Sequence, residues 1–178
     1  ALGPRINAGG RVGKSDLGVR LLTTEDPHEA AEISQELNRL NEERRAIEAG
    51  VLEEAMTAST ACANAPVAIV SGQGWHPGVI GIVAGRLKEK LQRPAIVIAV
   101  DEEGVGKGSG RSISGVDLGA AILAAKEMGL LVAGGGHAMA AGLTIDADKI
   151  DAFGAFLNDR LAADVERASA GRALLIDA

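Results

Sequence analysis

Apolar positions along this chain follow two different rhythms. Through residues 26 to about 59 they recur at alternating spacings of four and three, at Ile33, Leu37, Leu40, Ile47 and Val51, with Arg44 interrupting the seam. That is the period of one helix face. Asp26-Pro27-His28-Glu29 marks its start: Asp as N-cap, Pro at the first helical position, Glu in the first turn. Gly50 is the one glycine in the stretch and no Pro follows Pro27, so the pattern predicts a helix of about 34 residues, roughly 50 Å long. A helix of that length ahead of a compact region reads as a connector between domains; a coiled-coil dimer is the alternative.

Beyond Pro66 short apolar runs alternate with helical periods. Residues 67–70 and 94–100 predict buried strands, and 79–91 a helix between them. Its Gly78, Gly81, Ala84 and Gly85 form a small-residue stripe suited to close approach of another backbone. A strand is expected within 106–112, a helix over 116–128 and a strand over 140–145. Asp148 is expected to cap a last helix with Ile150, Phe153, Phe156, Leu157 and Leu161 as its apolar face. This alternation predicts an α/β domain over residues 66–165. Residues 1–14, rich in Gly and basic side chains, read as a loop; 15–22 read as a short helix and 173–176 as a short strand.

Charge changes the picture in one respect. The formal net charge is −6, which argues against strong autonomous binding to nucleic acid. Residues 25–56 alone carry −7, so the rest of the chain is close to +1, and residues 1–20 carry +3. The acidity belongs to the long helix. Aromatics make up 2% of the chain, and there is no Tyr, so the core must be built from Ala, Val, Ile and Leu. No apolar run has the length of a membrane span, and no apolar segment of a signal peptide precedes Arg5. Cys62 is the single cysteine, read as a buried, inert thiol in a reducing cytoplasm.

Candidate chemistry gathers in two Gly-rich segments. Gly134-Gly135-Gly136-His137 offers backbone amides without side chains, followed by a ring N–H. Upstream, Lys107, Ser109 and Arg111 supply an ammonium, a hydroxyl and a planar guanidinium, with no carboxylate between Glu103 and Asp117. These groups suit a phosphate. A Gly-rich run alone is also what a plain turn looks like. Two such elements on either side of one predicted helix can be returned to one end of a sheet, which favours an oxyanion pocket. His76, in Trp75-His76-Pro77-Gly78, stands at a strand-to-helix turn; it fits either a phosphate contact or a helix cap beside the lone Trp. His28 reads as surface. The three His are far apart and no metal-ligand spacing occurs, so no metal site is expected within the chain.

Taken together, Gly3-Pro4-Arg5-Ile6-Asn7-Ala8-Gly9-Gly10-Arg11, Gly74-Trp75-His76-Pro77-Gly78-Val79-Ile80-Gly81, Gly108-Ser109-Gly110-Arg111-Ser112 and Gly135-Gly136-His137-Ala138-Met139-Ala140-Ala141-Gly142 resemble, in order, segments of the RecJ family of single-strand-specific DNA exonucleases in the DHH phosphoesterase superfamily. The resemblance implies a DHHA1-type domain with a central mixed sheet flanked by helices, preceded by a long connecting helix. Residues 1–24 would then be the tail of a catalytic DHH domain, 25–63 the linker helix, 66–165 the DHHA1 domain and 172–178 the opening of an OB-fold domain.

It further implies a parent enzyme that removes nucleotides 5′ to 3′ from single-stranded DNA in repair and recombination, with single-stranded DNA-binding protein and helicase partners. Mn²⁺ or Mg²⁺ would be held by the DHH domain outside this chain, leaving the fragment inactive alone. Arg5, Arg11, His76, Ser109, Arg111, Gly135, Gly136 and His137 would contact the strand or its phosphate, with His137 and Arg111 supporting catalysis. The competing resemblances are a DHH/DHHA1 phosphodiesterase acting on oligoribonucleotides or cyclic dinucleotides, and a stand-alone RNA-binding module of DHHA1 type. Lack of stacking aromatics speaks against the latter.

Overall fold

The computed structural model describes residues 2–172, which form two units dividing at Gly50 and Val51. The first contains α1 (Leu2–Val12), α2 (Leu17–Thr23) and most of α3 (Pro27–Ala58). Here the expected loop over residues 1–14 is a helix instead. Pro4 sits in its first turn, where a missing N–H costs nothing. Gly9 in the helix and Gly13 just beyond it serve packing: a Cβ on Gly9 would come within 3.2 Å of Leu37, and one on Gly13 within 2.6 Å of Leu40. Ala8, Leu17, Ile33, Leu37 and Leu40 make the small core that results. Tertiary packing has overridden local propensity.

Helix α3 begins as its cap signal predicts, with Asp26 Oδ1 accepting from the His28 N–H at 2.8 Å. The helix runs 32 residues and passes into a 3₁₀ turn, Ser59–Cys62. Arg44, the break in the seam, lies beside Glu48 at 2.6 Å, with both side chains largely buried. Cys62 is only half-buried, its Sγ set against the Ser59 carbonyl at 3.3 Å.

The second unit is an α/β sandwich around one mixed sheet. Its strands are β1 (Ala68–Gln73), β2 (Ala95–Val100), β3 (Val105–Arg111), β4 (Ala133–His137) and β5 (Ala140–Asp146), in the spatial order β1-β2-β3-β5-β4. Strands β1 and β2 are parallel, joined by α4 (Pro77–Leu91), and every later pairing is antiparallel. Helices α5 (Leu118–Glu127) and α6 (Ile150–Arg172) cover the other face. Strand β2 is buried at all six positions, as a strand covered on both faces must be.

Ile96, Ile98, Leu118, Ile122, Phe153 and Leu157 lie at the centre of the main core. Glycines at alternate positions of β3 make room for it. A Cβ on Gly108 would strike Leu143 at 2.6 Å and one on Gly110 would strike Leu118 at 2.7 Å. Asp148, expected to cap the last helix, lies instead inside a 3₁₀ turn, Ala147–Lys149, and α6 proper starts at Ile150. The chain leaves β5 at Asp146 and rolls over at once, held by Ala147 N–H to the Gly104 carbonyl at 2.9 Å. The strand expected at 173–176 falls outside the described residues.

Candidate phosphate site

Alternation along β3 decides which side chains can act together. Gly106, Gly108 and Gly110 face the main core, so Lys107, Ser109 and Arg111 point to the opposite face. That is the face α4 packs on, and α4 supplies a glycine where Arg111 needs space. A Cβ on Gly81 would lie 3.0 Å from Arg111 Nη2 and 3.1 Å from Ser109 Oγ. The expected stripe of small residues on α4 therefore admits a guanidinium and a hydroxyl, not a second backbone. Gly85, also in that stripe, has nothing within 4 Å.

Arg111 is folded back along its own strand. Its Nη1 donates to Ser109 Oγ at 3.0 Å and to the Gly110 carbonyl at 2.8 Å. Nη2 keeps its donors without a partner among the described residues. No described carboxylate pairs with Arg111, Lys107 or His137. A fixed, half-buried guanidinium with spare donors and no counter-charge is suited to an anion.

The register then brings in β4. Arg111 pairs with Ala140, and Ala140 pairs with His137. Arg111 and His137 thus stand level on one sheet face, two strands apart, roughly 10 Å between backbones. Between and below them the same face carries Ala140, Gly142 and Gly135. With His137 and Gly142 exposed, this is an open shelf of small residues flanked by cationic and donor groups.

The Gly134–His137 run is not the turn that its glycines suggest. It is an extended edge strand, and the turn is Ala138-Met139. Glycine is required there by crowding: a Cβ on Gly136 would lie 2.4 Å from the Ala140 carbonyl oxygen. A Cβ on Gly119 of α5 would come within 2.9 Å of the His137 backbone. Ser112 N–H and Leu118 N–H hold the hairpin tip through the Met139 and Ala138 carbonyls, at 2.9 and 3.1 Å. Because neighbouring residues of an antiparallel pair alternate between bonding the partner and pointing away, only one of the Gly135 and Gly136 amides is open to an anion. The amides form part of a rim, not a wrapped cradle.

Other candidates are placed differently. His76 is the N-cap of α4, its Nδ1 accepting from the Gly78 N–H at 3.0 Å. It follows β1 at the end of the sheet where β3 begins, away from the Arg111 end. Arg5 and Arg11 are on α1 in the first unit, where Arg5 Nε bonds Asn38 Oδ1. Lys107 shares the face of Ser109 and Arg111 and donates to Thr144 Oγ1 at 3.1 Å. Gly81 was legible only as a small residue. The period-two pattern Lys107-Gly108-Ser109-Gly110-Arg111 was the available signal that three polar side chains share one face. Among the described residues no group of three or more His, Cys, Asp or Glu is placed to hold a metal ion.

Fold and site together define an α/β domain with an open shelf of small residues, flanked by Arg111, Ser109 and His137, at one end of a mixed sheet. Residues 64–163 match the DHHA1 domain family, and the chain belongs to it. It is 42% identical over 160 residues to the single-stranded-DNA-specific exonuclease RecJ of Dickeya dadantii, an alignment covering 86% of this chain and 28% of that protein. Among solved structures it resembles RecJ from Thermus thermophilus in complex with Mg²⁺, with a TM-score of 0.81 and 35% identity over 91% of this chain and 25% of that one. The Mn²⁺ complex of the same protein gives the same TM-score and identity, over 91% of this chain and 24% of that one. The chain thus spans about a quarter of the length of these relatives.

Proposed function

We propose that this chain is the phosphate- and nucleic-acid-binding portion of a 5′-to-3′ single-stranded-DNA exonuclease of RecJ type. The observation that carries this reading is Arg111, folded against Ser109 in the space Gly81 leaves, level with His137 across a bare glycine shelf. On this shelf Arg111 Nη2 and the Ser109 hydroxyl take a phosphate oxygen, and the His137 ring N–H a second. Such donors, fixed in advance, stabilise negative charge as it grows on a phosphodiester under attack.

The hydrolytic half belongs to a DHH domain elsewhere in the longer protein. There Mn²⁺ or Mg²⁺ supplies activated water and charge neutralisation. The parent enzyme acts on single-stranded DNA in the cytoplasm, during repair and recombination, with single-stranded DNA-binding protein and helicases as its partners. Arg5 and Arg11 add strand contacts.

Two measurements on the 178-residue chain test this. Incubated with Mn²⁺ and a 5′-phosphorylated single-stranded oligonucleotide, the chain leaves the DNA intact; steady shortening overturns the division of labour. Binding of the same oligonucleotide is weak and salt-sensitive, and Arg111→Ala weakens it by about 10- to 100-fold, the loss of charge-assisted hydrogen bonds worth roughly 1.5–3 kcal/mol. Unchanged affinity in that variant removes the shelf as the phosphate site.

A further inference from the structure

A separate cavity of about 590 Å³ opens at the carboxyl ends of β1 and β2. Cavities of roughly 300–1,000 Å³ suit small organic ligands. Trp75, Pro77, Val100 and Val105 give it an apolar wall, and His76 and Lys107 line it as well. The Trp75 indole is fixed over Gly72, whose Cβ would fall 2.1 Å from it, and its Nε1 donates to Glu54 at 2.7 Å. Since His76 Nδ1 accepts from Gly78, the neutral ring carries its proton on Nε2. Of the two carboxylates there, Asp101 Oδ1 already accepts from the Glu103 and Val105 N–H groups. Glu102, exposed, also lines the cavity.

Lys107 connects this cavity to the shelf. It lies on the β3 face that carries Ser109 and Arg111, and it lines the cavity. Because Arg111 folds back to the level of Ser109, the two cationic positions are one residue pair apart, about 7 Å along the strand. Neighbouring phosphates of an extended polynucleotide follow one another on that scale. A mononucleotide phosphate takes the Arg111 position; a dinucleotide can use both.

We infer that this cavity is a second nucleotide subsite. Lys107 holds the phosphate next to the one at Arg111, and the attached base enters the cavity against Trp75 and Val105. The His76 Nε2–H and the Glu102 carboxylate offer hydrogen bonds to the base edge, the latter suiting an exocyclic amino group. This assignment rests on the reading of the shelf as a phosphate site.

The test compares dAMP with the 5′-phosphorylated dinucleotide pdApdA on the 178-residue chain, by calorimetry and by emission of Trp75, its single Trp. The dinucleotide binds about tenfold more tightly and changes Trp75 emission; dAMP at equal adenine concentration leaves emission unchanged. Lys107→Ala, at an exposed position, removes the dinucleotide's advantage and its emission change while dAMP affinity stays as it was. Arg111→Ala weakens both ligands.

Equal affinity of the two nucleotides, or a dinucleotide that binds without altering Trp75, overturns the subsite. So does a Lys107→Ala variant that loses dAMP and pdApdA alike, because Lys107 then belongs to the shelf itself. If instead Arg111→Ala affects neither ligand while the Lys107-dependent emission change persists, the shelf reading fails and the second position falls with it; the cavity then takes a nucleotide through Lys107 alone.

Discussion

Gly81 of α4 and Arg111 of β3 fit closely against one another. Arg111 folds back into space that α4 leaves by presenting no Cβ at Gly81. Gly81→Ala separates stability from function. In a helix interior the change gains up to about 1 kcal/mol from propensity, and the atoms it crowds are the far ends of Arg111 and Ser109, 3.0 and 3.1 Å away. The guanidinium yields by a few tenths of an ångström. The expected result is a melting temperature unchanged or raised, with several-fold weaker binding of a 5′-phosphorylated oligonucleotide. A variant that binds as well as the parent shows that the Arg111 position is not tuned by α4. Sequence reading reaches Arg111, Ser109 and His137 because their residue types advertise anion chemistry. The fold-back of Arg111 and the role of Gly81 are not legible there, since both depend on which helix crosses which strand.

At the scale of elements, α4 and β4 teach opposite lessons. The start of α4 is visible in Trp75-His76-Pro77, and the structure gives His76 the capping role that its position allowed. His76→Ala therefore lowers stability by about 1 kcal/mol, while His76→Asn keeps a capping side chain and loses little. Urea denaturation of the two variants checks the order; equal losses would show that His76 matters for packing alone. Strand β4 reads as a turn in the sequence because glycine is the commonest turn residue. The steric demands of Ile122, Leu131 and the Ala140 carbonyl on Gly134 and Gly136 leave no trace in local sequence. Helix α1 is hidden for the same reason: Gly9 and Gly13 look like loop residues until Leu37 and Leu40 are placed beside them.

Across the whole molecule, α3 is legible as one long element, yet the division into units falls within it, at Gly50 and Val51. A seam of apolar positions records that a helix is covered, not what covers each part of it. Each unit has a core of its own: Leu37 and its neighbours in the first, Phe153, Ile98 and theirs in the second. The first core is far smaller, and small cores bury too little surface to be robust. Unfolding in urea is therefore expected in two steps. Far-UV circular dichroism registers both, because each unit is helical. Trp75 lies in the second unit and reports the later step alone.

Leu37→Ala sharpens the test. Leu37 is 1% exposed in the first core, and its truncation costs roughly 2–5 kcal/mol. The early transition should move to lower urea while the Trp75 midpoint holds. If both probes shift together, the chain unfolds as one cooperative body through the continuity of α3, and the separation into independent cores does not survive in its energetics.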